Sequence, residues 1–217
     1  MNQRNYQNEL EQIINRLTDN RKEQVGTKLP RLFLHSCCAP CSSYCLEYLC
    51  TYFDITVFYY NPNISAQSEY QHRVEEQKRL IAAYNAEQKG NPISIVEGDY
   101  HPELFFEAVK GYEQCPEGGE RCFRCFDLRL RETARLAAQD GYDYFGTTLT
   151  ISPLKNAVKI NEIGEAIAVE AGVRWLPSDF KKKNGYKRSI ELSREYDLYR
   201  QDFCGCAFSK AERECNR

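Results

Sequence analysis

A parallel α/β sheet flanked by helices is the fold this sequence predicts. β-branched and aromatic runs alternate with helical periodicities about five times, and the connections between the runs are too long for hairpins. At 217 residues, with 42% hydrophobic and 28% charged residues, the chain fits one large domain with a sizeable core.

The elements justify this in order. Residues 5–19 place Leu10, Ile13, Ile14 and Leu17 at three-and-four spacing, an amphipathic helix within a lead-in of residues 1–30 that Gly26 and Pro30 close. Residues 31–36 read as a short buried strand. Pro40 suits the first turn of a helix, and residues 41–52 continue it with Cys45, Leu46, Leu49 and Cys50 as the apolar stripe. Residues 55–60 form a second strand, broken by Asn61-Pro62-Asn63. A long helix over 66–89 turns Tyr70, Val74, Leu80, Ile81 and Tyr84 inward.

A third strand covers 93–96 and a helix 102–110. The irregular loop 111–121 delivers Cys122 and Cys125 to the start of a helix reaching about residue 139. Residues 144–146 and 173–176 are short strands, with a helix to Ala171 between them. The tail, 178–217, departs from the alternation and reads as a basic, cysteine-bearing extension of a single domain over 31–217.

Composition narrows the chemistry. The N-terminus is polar, with no apolar signal segment, and no run approaches the roughly 20 apolar residues of a membrane span. The expected setting is therefore cytoplasmic, where thiols stay reduced, with no membrane partner. There, 11 cysteines in CC, CxxC and CxC spacing read as metal ligands or redox groups.

In an open parallel sheet, ligands bind beyond the carboxyl ends of the strands. Cys37 and Cys38 follow the first strand and precede a helix, where backbone N–H groups favour thiolates and lower both pKa values. Cys122 and Cys125 present two sulfurs from one turn. Four such thiolates suit a 4Fe-4S cluster or a structural zinc. Vicinal side chains diverge, which favours separate atoms of a cluster over one small tetrahedron. Cys204-Gly205-Cys206 can close as a strained, labile disulfide, or add two more ligands. Cys45 and Cys50 read as core, and Cys115 and Cys215 as loop and tail residues. Cys41 stays open between the cluster and a second metal. Asp127 is open between proton acceptor, metal ligand and plain surface residue, and His35 between a packed strand-end residue and a neighbour of the metal site.

Two other groups stand out. Residues 181–188 carry Lys181, Lys182, Lys183, Lys187 and Arg188 with no acid, and Tyr186, Tyr196 and Tyr199 lie nearby. Such a stretch fits phosphate contacts and base stacking, or a solvated helix entry. Ser152, Lys155 and Asn156 could bind an anion at a helix start. Walker and G-x-G-x-x-G motifs are absent. An ATP-pyrophosphatase or sulfur-transfer relative needs a phosphate loop after the first strand, where this chain has Cys37-Cys38.

Five motifs in fixed order then carry a resemblance. They are Leu34-His35-Ser36-Cys37-Cys38-Ala39-Pro40-Cys41, Tyr59-Tyr60-Asn61-Pro62-Asn63-Ile64, and Arg121-Cys122-Phe123-Arg124-Cys125-Phe126-Asp127-Leu128-Arg129. The last two are Thr147-Thr148-Leu149-Thr150-Ile151-Ser152-Pro153-Leu154-Lys155 and Tyr199-Arg200-Gln201-Asp202-Phe203-Cys204-Gly205-Cys206. Through them the chain resembles the cobalamin-independent epoxyqueuosine reductases, the QueH family, over about residues 31–210.

The resemblance implies a Rossmann-like fold of the adenine-nucleotide alpha-hydrolase kind. It implies two-electron reduction of the epoxide of epoxyqueuosine in tRNA, the last step of queuosine synthesis. It implies a 4Fe-4S cluster on Cys37, Cys38, Cys122 and Cys125, and Cys204 and Cys206 as a redox-active pair. It leaves room for a second iron beside the cluster, which Cys41 could serve, and it requires an external electron donor. The alternative reading is a zinc-stabilised tRNA-binding module without catalysis.

Overall fold

The computed structural model describes residues 4–23 and 28–215. Five strands form one parallel sheet in the order β3-β2-β1-β4-β5. They are β1 (Arg31–His35), β2 (Asp54–Tyr59), β3 (Ser94–Glu97), β4 (Tyr144–Thr147) and β5 (Arg174–Trp175). β1 is central, pairing Leu34 with Val57 on one side and with Gly146 on the other. The chain therefore winds outward from β1 in both directions, as expected for a doubly wound sheet.

Eight helices among the described residues cover it: α1 (Tyr6–Glu23), α2 (Ala39–Leu49), α3 (Gln67–Ala86), α4 (Pro102–Ala108), α5 (Glu120–Gln139), α6 (Ala157–Ala171), α7 (Gly185–Glu195) and α8 (Ala207–Cys215). A short 3-10 turn spans Leu149–Ile151. Strand alternation sorts the core into two faces. Leu32 and Leu34 join Ile55 and Val57 beneath α1, α2 and α3, with Leu10, Leu46, Leu49 and Leu80. Phe33 and Phe58 face the other way, onto Leu130 and Ala134 of α5 and Ile160 of α6. Their rings stack at 4.9 Å.

Most sequence expectations land within a few residues. The inner face of α3 is buried as anticipated, but it also carries Arg73 and Gln77. α1 runs four residues beyond the expected Asp19, whereas Gly26 lies outside the described residues. The tail forms two helices, α7 and α8. α7 lies so close on α2 that a Cβ at Gly185 would collide with the Tyr44 ring. α3 then guides the chain onward. Arg79 donates to the carbonyls of Tyr196 (2.9 Å) and Asp197 (2.8 Å), and Glu76 accepts the Tyr199 N–H at 2.9 Å. α8 is fixed to α5 by Arg121–Glu212 at 2.5 Å.

Candidate metal and thiol centre

The β1 end carries the first cysteines. The backbone bends at Cys37, and Cys38, extended at φ −174°, caps α2 with Pro40 in the first turn. This bend overturns the expectation that the vicinal side chains diverge: their Sγ atoms are 3.8 Å apart. The sulfurs of Cys37, Cys38 and Cys41 all lie within 4.8 Å of one another, so the three can hold a metal ion. Sulfurs about 2.3 Å from one ion at tetrahedral angles sit about 3.8 Å apart, the spacing of the vicinal pair.

The charge at this group is uneven. Hydrogen bonds from the Cys38 and Cys41 thiols hold Cys37 well below the ordinary thiol value. Burial pushes Cys38 up to about 12. Cys41 rises well above the usual value through its bonds to Cys37 and Cys38, with burial adding to the effect. The expectation of two activated thiolates is thus met by Cys37 alone. The cause is that one charge is shared by three neighbouring thiols.

Cys122 and Cys125 sit in the first turns of α5. The Gly118 N–H donates to Cys122 Sγ at 3.2 Å. Cys125 is pushed up to about 11 by burial, and Arg129, one helical turn on, approaches its Sγ at 3.7 Å. The third group arrives from the tail. Gly205 takes φ +115°, and a Cβ there would meet Ile64 at 2.9 Å, so this position needs glycine. Ser209 Oγ accepts the Cys204 N–H at 2.9 Å, and the Ser209 N–H donates to Cys206 Sγ at 3.3 Å. The Ser65 N–H donates to the Gly205 carbonyl at 3.1 Å.

Two cavities connect these groups. Cys37, Cys38, Cys41 and Cys204 line an open pocket of about 250 Å³, together with Arg73, Lys155 and Tyr186. Cys122, Cys125, Cys204 and Cys206 line a second cavity of about 20 Å³. Cys204 belongs to both. The fold thus sets the CxxC beside the CxC, with Cys41 among the β1-end sulfurs.

Three cations stand among the sulfurs. Arg129 is 1% exposed; it donates to Asn61 Oδ1 at 2.5 Å and approaches His35 Nε2 at 3.2 Å. His35 is fully buried between Thr147 and Tyr60 and its pKa falls to about 3, chiefly through burial, so it stands neutral beside Arg129. A buried guanidinium on neutral partners costs several kcal/mol unless an anion lies near. The electrostatic neighbours of Arg129 are Cys125, Cys37 and Cys204, one from each cysteine group. Lys155 faces Cys204, Cys37, Cys41 and Cys38 and is held protonated by them against its own burial. Arg73 is paired with Glu69 at 2.7 Å and donates to the Cys204 carbonyl at 3.3 Å. Thiolates bound to a metal group carry the negative charge that this surrounding accommodates, so the donor set fits such a group.

Sequence reasoning missed Arg73 and Arg129. Both sit on the inner stripes of their helices, Arg73 next to Val74 and Arg129 one turn after Cys125. An arginine on an apolar face was the signal. In the connector before α6, two of the three expected polar side chains serve their own backbone: Asn156 Oδ1 caps Lys159 N at 3.1 Å and Ser152 Oγ accepts Leu154 N at 3.3 Å. Asp127 pairs with Arg131 at the surface, 2.8 Å away.

The basic run is largely neutralised. Lys181 pairs with Asp179 (2.7 Å), Lys183 with Glu11 (2.5 Å) and Arg188 with Glu47 (2.7 Å). Tyr196 donates to Glu87 and Tyr199 to Glu69, whereas Tyr186 lines the open pocket. No helix among the described residues is long and apolar enough to cross a membrane.

The chain is similar to a set of known proteins. A family model described as "Epoxyqueuosine reductase QueH" matches residues 32–212, which include all three cysteine groups. A protein of that name from Streptococcus pyogenes serotype M1 is 47% identical over 180 residues, covering 83% of this chain and 70% of the relative. The one from Staphylococcus epidermidis is 44% identical over 207 residues, 94% of this chain and 84% of the relative. The one from Thermotoga maritima is 36% identical over 195 residues, 87% and 93% of the two chains. Matched over nearly its whole length, the chain belongs to the epoxyqueuosine reductase QueH family.

Proposed function

We propose that this protein reduces the epoxide of epoxyqueuosine in tRNA to the alkene of queuosine, with loss of the oxygen as water. The carrying observation is that Cys204 lines both cavities, between the β1-end sulfurs and the CxxC pair. The reaction balances on thiols. Two thiols give two electrons and two protons, a disulfide forms between Cys204 and Cys206, both epoxide C–O bonds break, and a C=C bond and water result. An external reductant of dithiol or electron-carrier class then reopens the disulfide.

Cys37, Cys38, Cys122 and Cys125 would hold a 4Fe-4S cluster, which supplies one-electron transfer and a Lewis-acidic iron beside the pocket. The protein's own residues do the rest. Arg73, Asn63 and Ser65 fix the CxC backbone, and Arg129 and Lys155 balance thiolate charge. A second reading of the metal follows from the 3.8 Å Cys37–Cys38 spacing: a single ion on Cys37, Cys38 and Cys41, beside or instead of the cluster.

Anaerobic purification with metal analysis, coupled to epoxyqueuosine turnover, tests the whole reading. Iron-rich brown protein that converts epoxyqueuosine tRNA is expected. A colourless chain holding zinc and no iron, with no turnover, would return it to a tRNA-binding module. Cys37→Ser and Cys122→Ser should lower iron content. Cys204→Ser should keep iron and abolish turnover.

A further inference from the structure

We propose that Lys155 is a catalytic residue that binds the epoxide oxygen as its C–O bonds break; the assignment rests on the epoxide-reductase reading above. Lys155 comes from the connector between the 3-10 turn and α6. The other polar side chains of that connector are engaged with their own backbone: Ser152 accepts from Leu154, and Asn156 caps α6. The lysine is different. It lines the open pocket with Cys37, Cys38, Cys41 and Cys204. Lys22, Lys78, Lys89, Lys159, Lys181 and Lys183 each pair with a carboxylate, whereas Lys155 forms no ion pair among the described residues. Its ammonium brings three N–H donors to the lining of this pocket.

The chemistry needs a donor at this place. When electrons enter the epoxide, negative charge gathers on the oxygen, first as one C–O bond opens and then as the second breaks and the alkene forms. An ammonium on the pocket wall beside the breaking C–O bonds stabilises this charge more in the transition state than in the ground state. The two protons that the oxygen takes up come from the two reducing thiols, so no extra acid is needed and the balance is unchanged. The other cations on the pocket suit the task less well. Arg73 is committed to Glu69 and to the Cys204 carbonyl, Arg200 donates to Ser193 Oγ at 3.0 Å, and Arg213 is exposed to solvent in the last turn of α8.

The test uses the full-length, anaerobically purified chain with epoxyqueuosine tRNA and excess chemical reductant. Lys155→Met should lower kcat about a hundredfold or more, the range for loss of one oxyanion donor. KM for the tRNA should stay within about threefold, as expected when an interaction is made chiefly in the transition state. Metal content per chain should match the wild type. Lys155→Arg, which keeps the charge and the donors, should recover part of the lost kcat without changing metal content. A Lys155→Met protein with kcat near the wild type overturns the proposal. So does one whose loss of rate tracks loss of metal, because Lys155 then only supports the cysteines; so does failure of Lys155→Arg to recover any rate. A wild-type chain that binds metal yet never converts the substrate removes the epoxide-reductase reading and this assignment together. That outcome is distinct from an active wild type with an unaffected Lys155→Met variant.

Discussion

Arg73 and Cys204 are joined across 131 residues of sequence: the guanidinium of a buried α3 arginine donates to the Cys204 carbonyl at 3.3 Å. Glu69 holds the arginine from one side, and the Phe203 ring lies 5.3 Å from the guanidinium carbon. Arg73→Met should free the CxC loop while leaving the β1-end cysteines in place. The expected result is near-normal metal content, faster hydrogen exchange at residues 203–206, and turnover reduced at least tenfold. Unchanged exchange in this loop would show that Arg73 does not hold it.

Gly205→Ala should be more damaging than its size suggests. The left-handed backbone costs a non-glycine residue about 1–3 kcal/mol, and the new Cβ must also displace Ile64. Thermal melting should fall by several degrees, with turnover lost. A fully active, equally stable variant would mean the loop adopts another path.

Glu76 predicts a pH response at the tail. Its hydrogen bond from Arg79 holds its carboxyl below the ordinary value of 4.5, and the Tyr199 N–H acts in the same direction. A lowered folded pKa stabilises above the unfolded value, and this contribution is lost as pH falls through the folded one. Below about pH 4.5 the 196–200 segment should exchange faster than the sheet. Glu76→Gln should show that faster exchange already at pH 7. Protection equal to the wild type at both pH values would count against this anchor.

The basic run should divide in a tRNA-binding assay. Lys182 and Lys187 are exposed and form no ion pair among the described residues, whereas Lys183 is paired with Glu11. Lys182→Ala with Lys187→Ala should weaken binding and flatten the salt dependence, by about 0.7–0.9 for each phosphate no longer neutralised. Lys183→Ala should do less. Equal effects from all three would indicate that the Glu11 pair opens on binding.

Much of this molecule could be read from its residues. The sheet was legible because strand runs such as Asp54–Tyr59 and helical stripes such as Leu80, Ile81 and Tyr84 obey different periods. The cysteine groups were legible from spacing, and their convergence beyond β1 followed from parallel topology. What spacing could not reveal was the partition of sulfurs between two cavities. Cys41 joins Cys37 because of a bend whose angle no motif encodes. The pairing of Lys183 with Glu11 of α1 and of Arg188 with Glu47 of α2 was equally hidden, since it depends on how the tail lies on those helices. Arg73 and Arg129 broke the hydrophobic pattern of their helices, and such breaks mark residues that the site needs.

The position of Cys204 on both cavities also bears on how the protein is made. A ribosome delivers β1, α5 and every strand of the sheet before it reaches residue 204. The sulfurs of Cys37, Cys38, Cys122 and Cys125 can therefore be in place while the wall supplied by the tail is still missing. A nascent chain would pass through a stage in which these four thiols are not yet walled in by the tail, and docking of α8 would end that stage.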